Sequence, residues 1–139
     1  MWLINMEDIK ILVVEDENIV GLEIKKRLKK LGYSVHAVAK TGEEAIIKTA
    51  ATSPDVILMD IMLKGEMDGI EAARRIKSQH NIPIIYLTAY SDEETISRAK
   101  ETNPHGYILK PFQEDDMKIT IEMALHKHRM DMDRKTEQP

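Results

Sequence analysis

Cysteine is absent from the 139 residues. That excludes disulfides, thiolate nucleophiles, zinc knuckles and iron-sulfur clusters together, and it suits a reducing compartment such as the cytoplasm. Long hydrophobic runs are absent too: residues 1–4, 11–14 and 56–59 are short apolar stretches, far below the roughly 20 residues that span a bilayer. The start, Met-Trp-Leu-Ile-Asn-Met-Glu-Asp, lacks the basic region and long apolar segment of a signal peptide. Glycine and proline are scarce, 6 and 5, beside 42% hydrophobic and 32% charged residues. Such a composition excludes collagen-like repeats, low complexity and disorder, and predicts a soluble globular chain. Neither sign of charge dominates, since 20 basic and 24 acidic residues leave a net charge of −4. No overall positive field therefore draws in nucleic acid or an anionic membrane. The length suits one domain with one hydrophobic core.

Within that frame the apolar residues carry two alternating periods. Residues 9–14 form a compact, β-branched run stopped by Glu15, Asp16 and Glu17, the pattern of a strand buried on both faces. Over 18–31 the residues Ile19, Leu22, Ile24 and Leu28 alternate with a Lys/Arg-rich face, and Gly32 follows where helices end. Residues 33–38 read as a second strand. Thr41, with Glu44 three residues later, opens a second helix to about residue 51, which Ser53 and Pro54 close. The same alternation predicts strands over 55–59, 82–87 and 106–109, and helices over 69–79, 91–101 and from 114 onward. Ser91 and Glu94 form the second capping-box pair, and Pro83 is tolerable only at the first positions of its strand. Short strands joined through helices cannot pair as hairpins, so the chain is expected to be α/β: five parallel strands with helices on both faces.

In such sheets ligands bind at the carboxyl ends of the strands. Those ends carry Glu15 and Asp16, Asp60, Thr88, and Lys110 before Pro111. Three carboxylates brought within about 5 Å of one another repel by roughly 3 kcal/mol per pair at an effective dielectric near 20. A divalent cation relieves that repulsion, and hard oxygen ligands suit Mg²⁺ with water and phosphate oxygens completing its shell. Phosphoryl chemistry fits this donor set better than redox chemistry.

Residues 11–17 (ILVVEDE), 58–60 (LMD), 67–69 (MDG), 87–89 (LTA) and 106–112 (GYILKPF), in register at the strand ends, resemble the receiver domain of two-component response regulators, the CheY-like family. The resemblance covers about residues 8–128, leaving 1–7 as an N-terminal extension and 129–139 as a helical tail or linker stub. It implies a flavodoxin-like fold with strand order 2-1-3-4-5. It further implies that Asp60 accepts a phosphoryl group from a phosphohistidine on a sensor histidine kinase or phosphotransfer protein. Asp16 and Asp60 would hold Mg²⁺ directly, Glu15 through water, and Met62 through its backbone carbonyl. Lys110 would pair with the phosphoryl group, Thr88 would donate to it, and Tyr107 would turn inward as Thr88 moves. A cis Lys110-Pro111 bond is also implied. Met62 and Tyr90, two positions after Asp60 and Thr88, would tune dephosphorylation by obstructing water. The readout surface, helix 4, strand 5 and helix 5, would meet a downstream protein or a second copy. On this reading the chain is a signalling domain with self-catalysed phosphotransfer and dephosphorylation, not a metabolic enzyme.

The loop between Asp60 and Met67 departs from the family, carrying Gly65 where many receivers have Pro and running one residue longer. Two rival functions use the same residues: an unphosphorylated scaffold with the receiver fold, and a phosphatase with Asp60 as covalent nucleophile. The phosphatase would need a second Asp two residues on, where Met62 stands. His126 and His128 lie two apart on a helix and are expected to be solvated. The nine methionines read as core filler and helix faces, and Trp2 receives no function. Ile121, Leu125, His128 and Met132 recur at helical spacing, so the last helix is expected to run on.

Overall fold

The computed structural model describes residues 8–89 and 92–137. Along it alternate β1 (Lys10–Val14), α1 (Asn18–Lys30), β2 (Ser34–Ala39), α2 (Gly42–Thr52), β3 (Val56–Asp60), α3 (Gly69–Gln79), β4 (Ile84–Thr88), α4 (Glu93–Glu101), β5 (Gly106–Leu109) and α5 (Glu114–Glu137). The strands form one sheet in the order β2-β1-β3-β4-β5, and every pairing is parallel. The parallel pairing is the one expected from the alternation of strands and helices, and the order is the flavodoxin-like one that the resemblance implied.

Period-two alternation divides the core between the two faces of the sheet. Leu12, Val14, Ile57, Met59, Ile84 and Tyr86 belong to one cluster with Ala45, Ile70, Ala73 and Ile76 of α2 and α3. Ile11, Val13, Val56, Leu58, Ile85 and Leu87 belong to the other, with Ile24 and Leu28 of α1 and Met117 and Ile121 of α5. Because both faces are covered, β3 and β4 are buried at every residue, which is why they read as unbroken apolar runs.

The element ends follow local chemistry. α1 closes in a Schellman motif: Tyr33 N–H donates to the Leu28 carbonyl and Gly32 N–H to that of Lys29, both at 3.0 Å, with Gly32 at φ +102°. Thr41 caps α2 by accepting the Glu44 N–H at 3.0 Å. Strand and helix ends shift by a residue or two from the sequence reading, and two of these shifts have a plain local cause. The cap of α4 is Asp92 rather than Ser91, its carboxylate accepting the Thr95 N–H at 2.8 Å and the Thr95 hydroxyl at 2.9 Å. A carboxylate there also complements the positive end of the helix dipole. β4 begins at Ile84, leaving Pro83 outside, because proline has no N–H to give to the ladder.

α5 continues without a break at residue 128. Its 24 residues span about 36 Å. Met117, Ile121 and Ala124 are buried against the sheet, Leu125 and His128 are half-buried, and the Met132 sulfur accepts a hydrogen bond from Asn81 Nδ2 at 2.8 Å. Among the described residues no helix is long and apolar enough to cross a membrane.

Candidate functional site

The parallel register brings five predicted side chains to one rim. β1 runs out at Val14, and Glu15 is held in line by its N–H bond to the Ala39 carbonyl at 2.9 Å, which presents Asp16 next to it. Asp60 is the last residue of β3, Thr88 the last of β4, and Lys110 follows β5 with its N–H bonded to the Thr88 carbonyl at 2.9 Å. Gly69 permits this packing. A Cβ added there would lie 2.0 Å from the Asp60 carbonyl oxygen, so the first turn of α3 approaches the acceptor strand as only glycine can.

Asp60 is 4% exposed. Its Oδ1 accepts the Met62 N–H at 3.0 Å and its Oδ2 the Lys110 Nζ at 2.9 Å. Lys110 also lies 3.7 Å from Glu15 Oε1. Burial works against the Lys110 ammonium, but the hydrogen bond and charge of Asp60, with Glu15 and Glu17, outweigh it and raise its pKa above the ordinary value. Asp16 accepts the Lys64 N–H at 3.0 Å, which ties the loop after β3 to the acidic pair.

Glu15 is the strained member. It is 1% exposed, and neither carboxyl oxygen has a hydrogen-bond donor in reach among the described residues. Burial first, then contact with Asp60 and the charges of Asp60 and Asp16, push its pKa up to about 8 against the pull of Lys110. One oxygen from each of Glu15, Asp16 and Asp60 can be chosen so that all lie within 4.8 Å of one another. Orphaned buried carboxylate oxygens beside two further carboxylates fit a hard divalent cation such as Mg²⁺. The donor set is oxygen throughout, with no sulfur or imidazole.

The other expected residues fall as follows. Thr88 is buried at the rim. Tyr107 lies half-buried with its ring centroid 6.1 Å from that of Tyr86, and its hydroxyl oxygen is enclosed without a hydrogen-bond partner among the described residues. Met62 gives its N–H to Asp60 while its side chain is 75% exposed. Lys110-Pro111 is cis. Tyr90 and Trp2 lie outside the described residues. His126 is exposed, but His128 is half-buried with its ring edge-on to His105 at 5.7 Å, because α5 overhangs the base of β5.

Sequence reasoning missed Arg27, which gives a guanidinium N–H to the Phe112 carbonyl and so braces the loop carrying Lys110 and Pro111. No local pattern marks it, because the bond joins residues 85 positions apart. Phe112 in turn lies under the Lys110 ammonium, 5.9 Å from ring centroid to Nζ. The Gly69 approach was partly legible, since Asp68 and Gly69 already belonged to a recognised fragment.

Known proteins share both sequence and fold. The sequence model of the response regulator receiver domain matches residues 11–122. The transcriptional regulatory protein PdtaR of Mycobacterium tuberculosis is 32% identical over 120 residues, 86% of this chain but 58% of that protein. The chain thus spans little more than half the length of that relative. The receiver domain of a modulated diguanylate cyclase from Desulfovibrio desulfuricans G20 superposes with a TM-score of 0.84 at 42% identity, covering 89% of this chain and 99% of that one. The N-terminal domain of a response regulator/sensory box/GGDEF protein from Carboxydothermus hydrogenoformans gives a TM-score of 0.81 at 35% identity, covering 88% and 98%. Strand order, rim residues and sequence agree, and this chain belongs to the response regulator receiver domain family.

Proposed function

We propose that this chain stores a signal as a phosphoryl group on Asp60. The observation that carries the reading is the buried Asp60 carboxylate, held by Lys110 and the Met62 N–H beside the orphaned Glu15 oxygens. An Asp60 oxygen attacks phosphorus in line, forming an O–P bond while the P–N bond to a donor imidazole breaks. Asp16, Asp60, Glu15 through water and the Met62 carbonyl are the residues that would hold Mg²⁺, whose charge offsets that of the phosphoryl oxygens. Lys110 supplies a positive point charge and Thr88 a hydroxyl donor. Dephosphorylation is expected to be slow, because bulky, largely apolar residues, Met62 and Tyr90, stand two positions after Asp60 and Thr88 in the sequence.

The added charge of about −1.5 to −2 biases Thr88 and, through it, Tyr107. The surface of α4, β5 and α5 then meets a partner, and there Leu109, Ile119 and Met123 are exposed. A sensor histidine kinase or phosphotransfer protein in the cytoplasm is the donor, and the readout is a downstream protein or a second copy. The test is incubation with Mg²⁺ and acetyl phosphate, followed by intact mass, beside Asp60→Asn. A Mg²⁺-dependent gain of one phosphoryl group, absent in the variant, is expected. No gain by a folded protein that also ignores beryllofluoride would leave the scaffold reading in place.

A further inference from the structure

Helix α4 is held very differently at its two ends. Only Ala99 of its residues is buried. At its first turn the tie is the exposed Asp92 cap, and the ion pair that reaches toward the rim from its last turn, Arg98 to Asp68 at 3.0 Å with side chains 43% and 31% exposed, is a kind of contact that holds weakly in water. At the other end the cap residue Thr102 is buried, and its hydroxyl donates to the Ala99 carbonyl at 2.7 Å. That commits the single proton of Thr102. The 2.6 Å contact between Tyr86 Oη and Thr102 Oγ1 must therefore be donated by Tyr86. A chain of bonds results, from Tyr86 to Thr102 to Ala99, closed inside the protein where such chains strengthen one another. Lys77 of α3 adds two more, to the carbonyls of Thr102 (2.8 Å) and Asn103.

Tyr86 is also tied to the rim. It lies on β4 two residues before Thr88, so the two side chains share a face of the sheet. Its register partner on β5 is Tyr107, whose ring it touches. We propose that Tyr86 is a positioning residue: its hydroxyl pins the C-terminal end of α4 to β4, so that when the rim changes state α4 pivots about that end and moves chiefly at its first turns. The switching half of this proposal rests on the phosphoryl-acceptor reading; the pin itself does not.

The test uses Tyr86→Phe, which keeps the ring against Tyr107 and removes only the donor. Amide hydrogen exchange is followed on the whole chain, free and with Mg²⁺ and beryllofluoride. In the free protein, exchange at Thr102 and Asn103, whose N–H groups bond to Ala99 and Lys100, is expected to quicken about fivefold in the variant, with α3 unchanged. Thr102→Val should reproduce this and Thr102→Ser should restore protection. With beryllofluoride the parent protein should change at Thr95 and Ile96 but not at Thr102 and Asn103, whereas in Tyr86→Phe the change should reach both ends. Equal free-state protection in parent and Tyr86→Phe overturns the pin. A beryllofluoride response in the parent as large at 102–103 as at 95–96 overturns the pivot. Failure of beryllofluoride to bind at all would strike the phosphoryl-acceptor reading and with it the pivot, while the free-state comparison still decides the pin.

Discussion

Single residues at the rim work by closeness. Gly69 has no room for even a methyl group, since its Cβ position lies 2.0 Å from the Asp60 carbonyl oxygen and 2.9 Å from the carbonyl carbon. These are backbone atoms of a buried strand, so they cannot give way as a flexible side chain would. Gly69→Ala is expected to cost about 2 kcal/mol or more by urea unfolding, and to slow phosphoryl gain from acetyl phosphate by displacing Asp60. Unchanged stability would mean that α3 can shift without cost. Glu15, by contrast, is a buried acid whose oxygens find no hydrogen-bond donor among the described residues, and Lys110 at 3.7 Å offsets its charge only in part. Its identity and neighbours were legible in the Glu15-Asp16 pair, but not its burial, which depends on β2 and β3 flanking β1 and on α1 packing Gly21 against its side chain.

Among the elements, α5 does two jobs along one unbroken helix. Its first half covers a face of the sheet, with Met117, Ile121 and Ala124 buried; its second half overhangs the sheet and touches it lightly. Ile121→Ala is therefore expected to cost about 3 kcal/mol, within the range for emptying a packed core site. Met132→Ala, at a position 41% exposed and held by one sulfur contact to Asn81, should cost under about 1 kcal/mol. Thermal or urea denaturation of both variants measures the difference, and equal costs would show the overhang to be part of the core. The helix itself was legible from the spacing of Ile121, Leu125, His128 and Met132. Less legible was the start of α4, because Ser91 and Asp92 are both good caps and only the observed bonds to Thr95 choose between them.

At the scale of the whole molecule, the base of the sheet adds a pH dependence of its own. His105 is half-buried with its Nδ1 enclosed and without a hydrogen-bond partner among the described residues. Burial chiefly, with Lys77, Lys127 and His128, lowers its pKa from 6.5 to about 4, against a smaller opposing effect of Asp131. The folded chain thus binds fewer protons at this site than the unfolded chain between those values. The contribution of His105 is complete above about pH 6.5 and is lost as pH falls toward 4. Subtracting the stability of His105→Gln from that of the parent at each pH should give a difference that shrinks across this window. A flat difference would contradict the burial of the ring. The strand-and-helix alternation, the two-faced burial of β3 and β4, and the acidic and basic groups at the strand ends were determined by the sequence alone, because period and turn chemistry are local. Tertiary structure decided which of those groups meet: Lys110 on Asp60 across 50 residues, Arg27 on Phe112 across 85, Tyr86 on Thr102, and His128 on His105. Each such contact depends on the register and packing of elements far apart in the chain, and no local pattern of residues encodes that distance.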